Sequence, residues 1–168
     1  MELHLDLVGG LAGDMFIAAM LDLFPEHEAG LQGSLARTGL LAGVTARLVP
    51  HNDGVLAGRR FLVERPGGQG GGHDHVAWRR IREGLEASEL DPVVRGHAIA
   101  IFRLLAKAEA KVHGVAVEAV SFHEVGAWDS IADIVGAAHL IAAVGAARWT
   151  VGAVPLGSGR ARTAHGPL

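Results

Sequence analysis

The chain contains no cysteine and no tyrosine, and aromatic residues make up only 5% of its 168 residues. Without cysteine it can form neither disulfides nor thiolate metal sites, so any metal must be held by His, Asp, Glu or backbone oxygen. Such ligands suit nickel, zinc, manganese or magnesium. The ten histidines of the chain favour a role in metal handling.

Long apolar runs and an excess of basic charge are also absent from the sequence. No apolar run approaches the ~20 residues of a membrane span, and the first residues lack the basic and apolar regions of a signal peptide. The net charge is −3, and no basic patch is interleaved with aromatics, which argues against a nucleic-acid partner. We therefore expect a cytoplasmic globular protein with no membrane partner.

Hydrophobic periodicity and turn residues predict a mixed α/β or α+β domain. We expect a small sheet of about four strands, including one hairpin, packed with about five helices. Strands are predicted at Leu3–Val8, Val44–Val49, Val55–Val63 and Trp149–Leu156, with the hairpin turn at Asn52-Asp53-Gly54. Helices are predicted at Met15–Leu23 with Asp14 as N-cap, at Glu26–Arg37, at Val76–Ala87, from Asp91-Pro92 to His113, and from about Asp129 onward.

Two glycine-rich segments interrupt this pattern. Residues 9–14, Gly-Gly-Leu-Ala-Gly-Asp, follow the first strand and open a helix, where backbone amides can hold an anion. Their spacing is neither a P-loop nor a dinucleotide fingerprint, and tight packing of the turn is the alternative role. Residues 66–75 are predicted to be a flexible Gly/His loop, in which His73 and His75 either reach a metal or belong to a solvated tether.

The densest group of metal-competent side chains lies in residues 121–136. His123 and Glu124 are adjacent, and Asp129 and Asp133 are four residues apart, which puts both carboxylates on one face of a helix. That helix is apolar almost all round and is predicted to be buried on more than one side. Buried carboxylates must be paired, hydrogen-bonded or metal-bound. The structural alternatives are Asp129 as a helix cap and His123 as a hydrogen-bonded core histidine.

Two further pairs could add ligands to this group. Glu109 and His113 are spaced i, i+4 at the margin of the apolar face of a long helix. They are either a buried hydrogen-bonded pair or two more ligands, and we expect them to point toward His123. Asp6 and Asp14, from the first strand and turn, could contribute carboxylates.

Cationic side chains follow the last predicted strand. Arg160, Arg162 and His165 come directly after it, and in α/β proteins ligands bind at the carboxyl ends of strands. Their charge suits a phosphate or carboxylates of a substrate. We therefore predict that these three residues contact the bound substrate.

Several sequence blocks occur in one order along the chain. They are Gly13-Asp14-Met15-Phe16, His73-Asp74-His75, residues 108–114 (AEAKVHG), residues 122–131 (FHEVGAWDSI), Asp133-Ile134-Val135-Gly136, residues 155–159 (PLGSG) and Ala164-His165-Gly166. In this order they resemble the amino-terminal part of the LarC family, over nearly the whole chain. One departure is the short loop at His73–His75, where the family typically has a run of many histidines, so a nickel reservoir in that loop is doubtful here.

The resemblance implies a nickel-insertion activity. Family members metallate pyridinium-3,5-bisthiocarboxylic acid mononucleotide, the pincer nucleotide, in a CTP-dependent cyclometallation (lyase class) assisted by Mg2+ or Mn2+. The product is the cofactor of lactate racemase and related enzymes. The resemblance implies one amino-terminal domain over residues 1–168 and a separate carboxy-terminal CTP-binding domain, so we expect the isolated chain to be inactive. The expected partners are the pincer nucleotide, that carboxy-terminal domain, a lactate racemase-type apoenzyme and further copies of the chain.

The residues and the resemblance together predict specific roles. His123, Glu124 and Asp129 are the predicted catalytic residues, since forming a nickel–carbon bond requires a ring proton to leave. The predicted metal ligands are carboxylates and imidazoles, namely His123, Glu124, Asp129, Asp133, Glu109, His113, His73 and His75. Two alternatives are a stand-alone metal-dependent hydrolase and a non-catalytic nickel-binding half that requires a partner domain.

Overall fold

Five helices and eight short strands make up the described part of the chain. The computed structural model describes residues 1–8, 10–65, 76–122, 128–155, 162–163 and 166–167. The helices are α1 Gly13–Leu23, α2 Glu28–Arg37, α3 Trp78–Glu86, α4 Pro92–His113 and α5 Trp128–Val144. The strands are β1 Glu2–Leu5, β2 Thr45–Asn52, β3 Ala57–Glu64, β4 Val76–Ala77, β5 Ser121–Phe122, β6 Arg148–Val151, β7 Arg162–Thr163 and β8 Gly166–Pro167.

The strands pair two by two. β1 runs parallel to β6, whereas β2–β3, β4–β5 and β7–β8 are antiparallel. The predicted mixed α/β class, the five helices and the hairpin are confirmed, but the described strands form separate two-stranded sheets and not one sheet of four. The β2–β3 and β1–β6 pairs both pack on α1. β3 contacts this helix, and the ring centroids of Trp149 in β6 and Phe16 in α1 lie 6.1 Å apart.

Helix α5 is the centre of the core, as its nearly all-apolar surface predicts. It packs against α1, α2 and α4, and Ala132, Val135, Ala138 and Leu140 are fully buried. Gly136 lets α1 approach, since a β-carbon there would lie 2.7 Å from the Ile17 side chain. α1 and α5 therefore pack closely, and this packing brings the first residues of the two helices together.

The ends of α4 lie where the sequence places them. Asp91 accepts a hydrogen bond from the backbone N–H of Val93 (2.8 Å), Pro92 opens the helix, and Gly114 closes it with a φ of 65°. None of the helices in the described ranges is long and apolar enough to cross a membrane.

Other predicted ends are wrong. Asp14 is not the N-cap of α1, because the helix already begins at Gly13 and the flanking residue is Ala12, which makes no side-chain cap. Pro25–His27 is a 3-10 turn before α2. Val76–Ala77 pairs with β5, so α3 starts only at Trp78. β1 and β6 are shorter than predicted and end at Leu5 and Val151.

Candidate functional site

The starts of α1 and α5 meet at one close contact. A β-carbon on Gly13 would lie 2.6 Å from Cβ and 2.9 Å from Oδ2 of Asp133. Real β-carbons essentially never approach so closely, so only glycine fits at position 13 while Asp133 stays where it is. Gly13, the first residue of α1, therefore leaves the space that the Asp133 side chain occupies.

Asp133 is a half-buried carboxylate without a complete set of partners. Its Oδ1 atom is buried and has no hydrogen-bond partner among the described residues. Burial first, and then the negative charges of Asp14 and Asp129, raise the pKa of the Asp133 carboxyl to about 6, against a smaller opposing effect of the Asp14 backbone N–H. Such a site stabilises a proton or a cation on Asp133.

Asp14 and Asp129 occupy equivalent places in the first turns of α1 and α5. Asp14 Oδ1 accepts the N–H of Met15 (2.9 Å), and Asp129 Oδ1 accepts the N–H of Ser130 (2.7 Å). The positive ends of the two helix dipoles favour carboxylates at these positions. The spacing of Asp129 and Asp133 within α5 is as predicted, and Asp14 joins them from α1. We call Asp14, Asp129 and Asp133 the aspartate cluster.

Glu109 and His113 form the pair that their spacing predicts. His113 Nε2 lies 3.2 Å from Glu109 Oε2 near the end of α4, and both side chains are about one-third exposed. The alternatives for this pair were a buried hydrogen-bonded pair and two more metal ligands. The structure shows a contact between the two side chains, which remain partly exposed. The predicted orientation of the pair toward His123 falls outside the described residues.

The described residues leave much of the predicted ligand set untested. His123, Glu124, His73, His75, Arg160 and His165 lie outside them, and of Arg162 only the backbone in β7 is described. Within the described ranges no group of three or more His, Asp or Glu side chains is arranged to hold a metal ion. The aspartate cluster on its own is therefore not arranged as a metal site, and a site there would need further ligands.

Two polar contacts were not found from sequence. On α5, His139 Nδ1 lies 2.9 Å from the buried Ser34 Oγ of α2. His4 Nδ1 lies 2.8 Å from Thr150 Oγ1 across the β1–β6 pair. Each joins residues more than a hundred positions apart, so helix or strand spacing carries no signal for it. The alternation of His4 and Asp6 with leucines was the only local hint.

Two cavities of the described part of the chain are not lined by the aspartate cluster. One of about 260 Å³ lies beside α2 and the start of β2. It is lined by Gln32, Leu35, Ala36, Leu41, Val44, Thr45, Ala46 and Ala132. None of the aspartates lines it, so the chemistry of the chain is better sought at the α1–α5 contact.

Comparisons with known proteins agree on one family. The family model described as nickel insertion protein matches residues 3–168. A putative nickel insertion protein of Myxococcus xanthus is 42% identical over 99% of this chain and 42% of its own length, and one of Geotalea daltonii is 44% identical over 99% and 42%. The pyridinium-3,5-bisthiocarboxylic acid mononucleotide nickel insertion protein of Akkermansia muciniphila is 38% identical over 97% and 41%.

These matches also define the extent of the comparison. The chain spans about two-fifths of the length of the curated relatives it matches. No solved structure matches it. With the family model covering all but its first two residues, the chain belongs to the nickel insertion protein family.

Proposed function

We propose that this chain is part of a protein that inserts nickel into the pincer nucleotide, pyridinium-3,5-bisthiocarboxylic acid mononucleotide, by a CTP-dependent cyclometallation in the cytoplasm. The name of the Akkermansia relative supports this substrate. The structural observation that carries the proposal is the buried Oδ1 of Asp133, which has no hydrogen-bond partner among the described residues and lies near two further carboxylates. An arriving Ni2+ would supply the positive charge that this place lacks.

The aspartate cluster has the donor type that nickel accepts. Carboxylate oxygens from Asp14, Asp129 and Asp133 would hold the ion, and imidazole completes common Ni2+ ligand sets. His123 and Glu124 precede α5 by only a few residues in the sequence, so we propose that they act together with the cluster. There they would ligate nickel or accept the ring proton that leaves when the nickel–carbon bond forms. Glu109 and His113 would support them.

Substrate and partner contacts complete the proposal. Arg160, Arg162 and His165 would bind the phosphate or carboxylates of the nucleotide through charge-assisted hydrogen bonds. CTP and its Mg2+ or Mn2+ would be bound by a domain outside this chain, which the greater length of the relatives supports. The loop at 66–75, with His73 and His75, would at most assist nickel delivery, and the product would serve a lactate racemase-type apoenzyme.

Nickel titration calorimetry tests the assignment of the aspartate cluster. Asp129→Asn and Asp133→Asn each remove a charge while keeping the side-chain shape, and we expect at least a tenfold loss of Ni2+ affinity in each, within the range measured for disturbed metal sites. Asp22→Asn is the matched control, because Asp22 is an exposed residue of α1 paired with Arg59. Unchanged affinity in both cluster variants would refute the assignment.

Nickel loading of the pincer nucleotide tests the activity itself. The chain is combined with the remaining part of a relative, Ni2+ and CTP, and the metallated nucleotide is measured by mass spectrometry. Loading that requires CTP and is lost in Asp133→Asn supports the proposal. Nickel binding without loading would instead favour a scaffold role, and phosphatase or amidase turnover by the isolated chain would favour a hydrolase.

A further inference from the structure

The His4 ring at the parallel β1–β6 pair is held by a cross-strand contact of its Nδ1 atom. His4 and Thr150 are cross-strand partners, and His4 Nδ1 lies 2.8 Å from Thr150 Oγ1. The Thr150 hydroxyl is also within 3.4 Å of the Leu3 carbonyl, to which it can donate, and its oxygen can accept a hydrogen bond from Nδ1–H of His4. A neutral imidazole then carries its free lone pair on Nε2.

His4 Nε2 is one of three possible metal-ligand atoms that lie close to Gly152. A β-carbon on Gly152 would lie 3.6 Å from His4 Nε2, 3.6 Å from the Leu5 carbonyl oxygen and 3.8 Å from Asp6 Oδ1. An imidazole nitrogen, a carbonyl and a carboxylate thus surround one point that glycine leaves free of side-chain atoms. The point lies just past the carboxyl ends of β1 and β6, the edge where open parallel sheets bind ligands.

The backbone does not explain the glycine. Gly152 is not among the glycines with positive φ, and a β-carbon there would be in ordinary van der Waals contact with its neighbours. Gly152 N–H donates to the Leu5 carbonyl (2.9 Å), which leaves that oxygen a second lone pair. Asp6 is exposed and has no ion-pair partner among the described residues. The imidazole nitrogen, the carbonyl oxygen and the carboxylate oxygen therefore all lie within 4 Å of the same point.

We propose that His4 Nε2 and Asp6 Oδ1, with the Leu5 carbonyl, bind a divalent transition-metal ion at a second site, separate from the aspartate cluster. The imidazole selects Ni2+ or Zn2+ over Mg2+ and Ca2+, and the hydrogen bond to Thr150 orients the ring as second-shell partners do in metal sites. This site does not depend on the proposed nucleotide chemistry.

Gly152→Ala is the sharpest test, because it keeps all three donors and only fills the point between them. The methyl group makes ordinary contacts, so the variant should fold, as circular dichroism would verify. In Ni2+ titration calorimetry of the wild-type chain we expect a binding event that Gly152→Ala and His4→Ala both lose. Thr150→Val should weaken the same event about tenfold, by freeing the ring. Gly58→Ala, on β3 with open space around it, is the control and should bind like the wild type.

Two results would overturn the second site. One is a folded Gly152→Ala variant with the same Ni2+ isotherm as Gly58→Ala. The other is loss of this binding event in Asp133→Asn, since that would make it part of the aspartate cluster. A failure of the cluster assignment alone would leave the Gly152-sensitive event in place, so the two proposals fail separately.

Discussion

Helix α5 turns two ionisable side chains inward, and their surroundings differ. Asp133, near its start, presses against Gly13, and its buried Oδ1 has no hydrogen-bond partner among the described residues. His139, six residues later, lies against Gly30, with Nε2 2.9 Å from where a β-carbon of that glycine would be, and pairs with Ser34. Burial disfavours the charged form of both: together with the neighbouring carboxylates it raises the pKa of Asp133 to about 6, and it is the main cause that lowers the pKa of His139.

The difference separates a structural group from a candidate functional one. His139 is neutral with a hydrogen-bond partner, which is how a core accommodates a polar side chain at low cost. Asp133 is instead kept beside Asp14 and Asp129, whose charges add to the cost of ionising it. A fold that only needed packing would gain by replacing Asp133 with a neutral residue. The presence of a carboxylate at this position is explained if a cation binds there.

The largest expected effect is a loss of stability in Gly13→Ala that Gly30→Ala does not share. Gly13→Ala would push a β-carbon to 2.6 Å from Asp133 Cβ, an atom fixed by the α5 backbone, whereas Gly30→Ala meets only the tip of His139. We expect Gly13→Ala to lower the free energy of unfolding by about 2–3 kcal/mol. Gly30→Ala should change it by less than about 1 kcal/mol, because the helix propensity of alanine offsets the strain.

Urea unfolding of the wild type, Gly13→Ala and Gly30→Ala measures the change in the free energy of unfolding in each variant. Gly96→Ala is the control for helix propensity, since Gly96 lies inside α4 with open space around it; alanine there should stabilise by up to about 1 kcal/mol. Equal losses in Gly13→Ala and Gly30→Ala would contradict the distinction between a rigid and a yielding contact.

The second effect is a gain in stability on neutralising Asp133. The folded-state pKa is about 6 against an ordinary value of 3.8, a difference equivalent to about 3 kcal/mol, which solvent screening of this half-buried group reduces to roughly 1–2 kcal/mol. The folded state binds the proton more tightly, so the cost is present above pH 6 and fades as the pH falls toward 4. In metal-free buffer, Asp133→Asn should therefore be more stable than wild type at pH 7.5.

The same comparison at pH 5 supplies its own check. There Asp133 is mostly protonated in the folded wild type, so the advantage of Asp133→Asn should shrink. Asp22→Asn, at an exposed site, should show no such pH-dependent gain. An Asp133→Asn variant no more stable than wild type at pH 7.5 would mean that the carboxylate is already satisfied, and the argument for a cation there would lose its basis.

The fold was predictable where the signals are local. Asp91-Pro92 and Gly114 mark the two ends of α4 within a few residues of sequence, and both ends are confirmed. β4 was predicted as helix because its strand character comes only from pairing with β5, some 45 residues later. A single β-branched residue, Val76, is too weak a local signal to distinguish these two residues from the first turn of α3.

The candidate site divides in the same way. Spacing of four residues placed Asp129 with Asp133 and Glu109 with His113, and the structure has both spacings in single helices. The contact of Gly13 with Asp133 could not be predicted, because it follows from how α1 packs on α5 and joins positions 120 residues apart. The group of ligand atoms at Gly152 is non-local for the same reason: His4 and Thr150 meet only through parallel strand pairing.

The smallest effect is the pH response of His139, which should be opposite in sign to that of Asp133. Burial, then the nearby charges of His27 and Arg37, lower the pKa of His139, against an opposing effect of Asp91. The unfolded chain therefore binds the proton more tightly, and stability is lost as the pH falls below about 6.5. His139→Gln has no titrating ring and can still pair with Ser34, so it should lose less stability than wild type between pH 7.5 and 5.5.

Urea unfolding at both pH values measures this difference in stability, with His51→Gln on the exposed hairpin as control. If wild type and His139→Gln lose the same amount, the Ser34 contact tolerates the charged ring, and α5 does not hold its two inward groups in the contrasting ways described above.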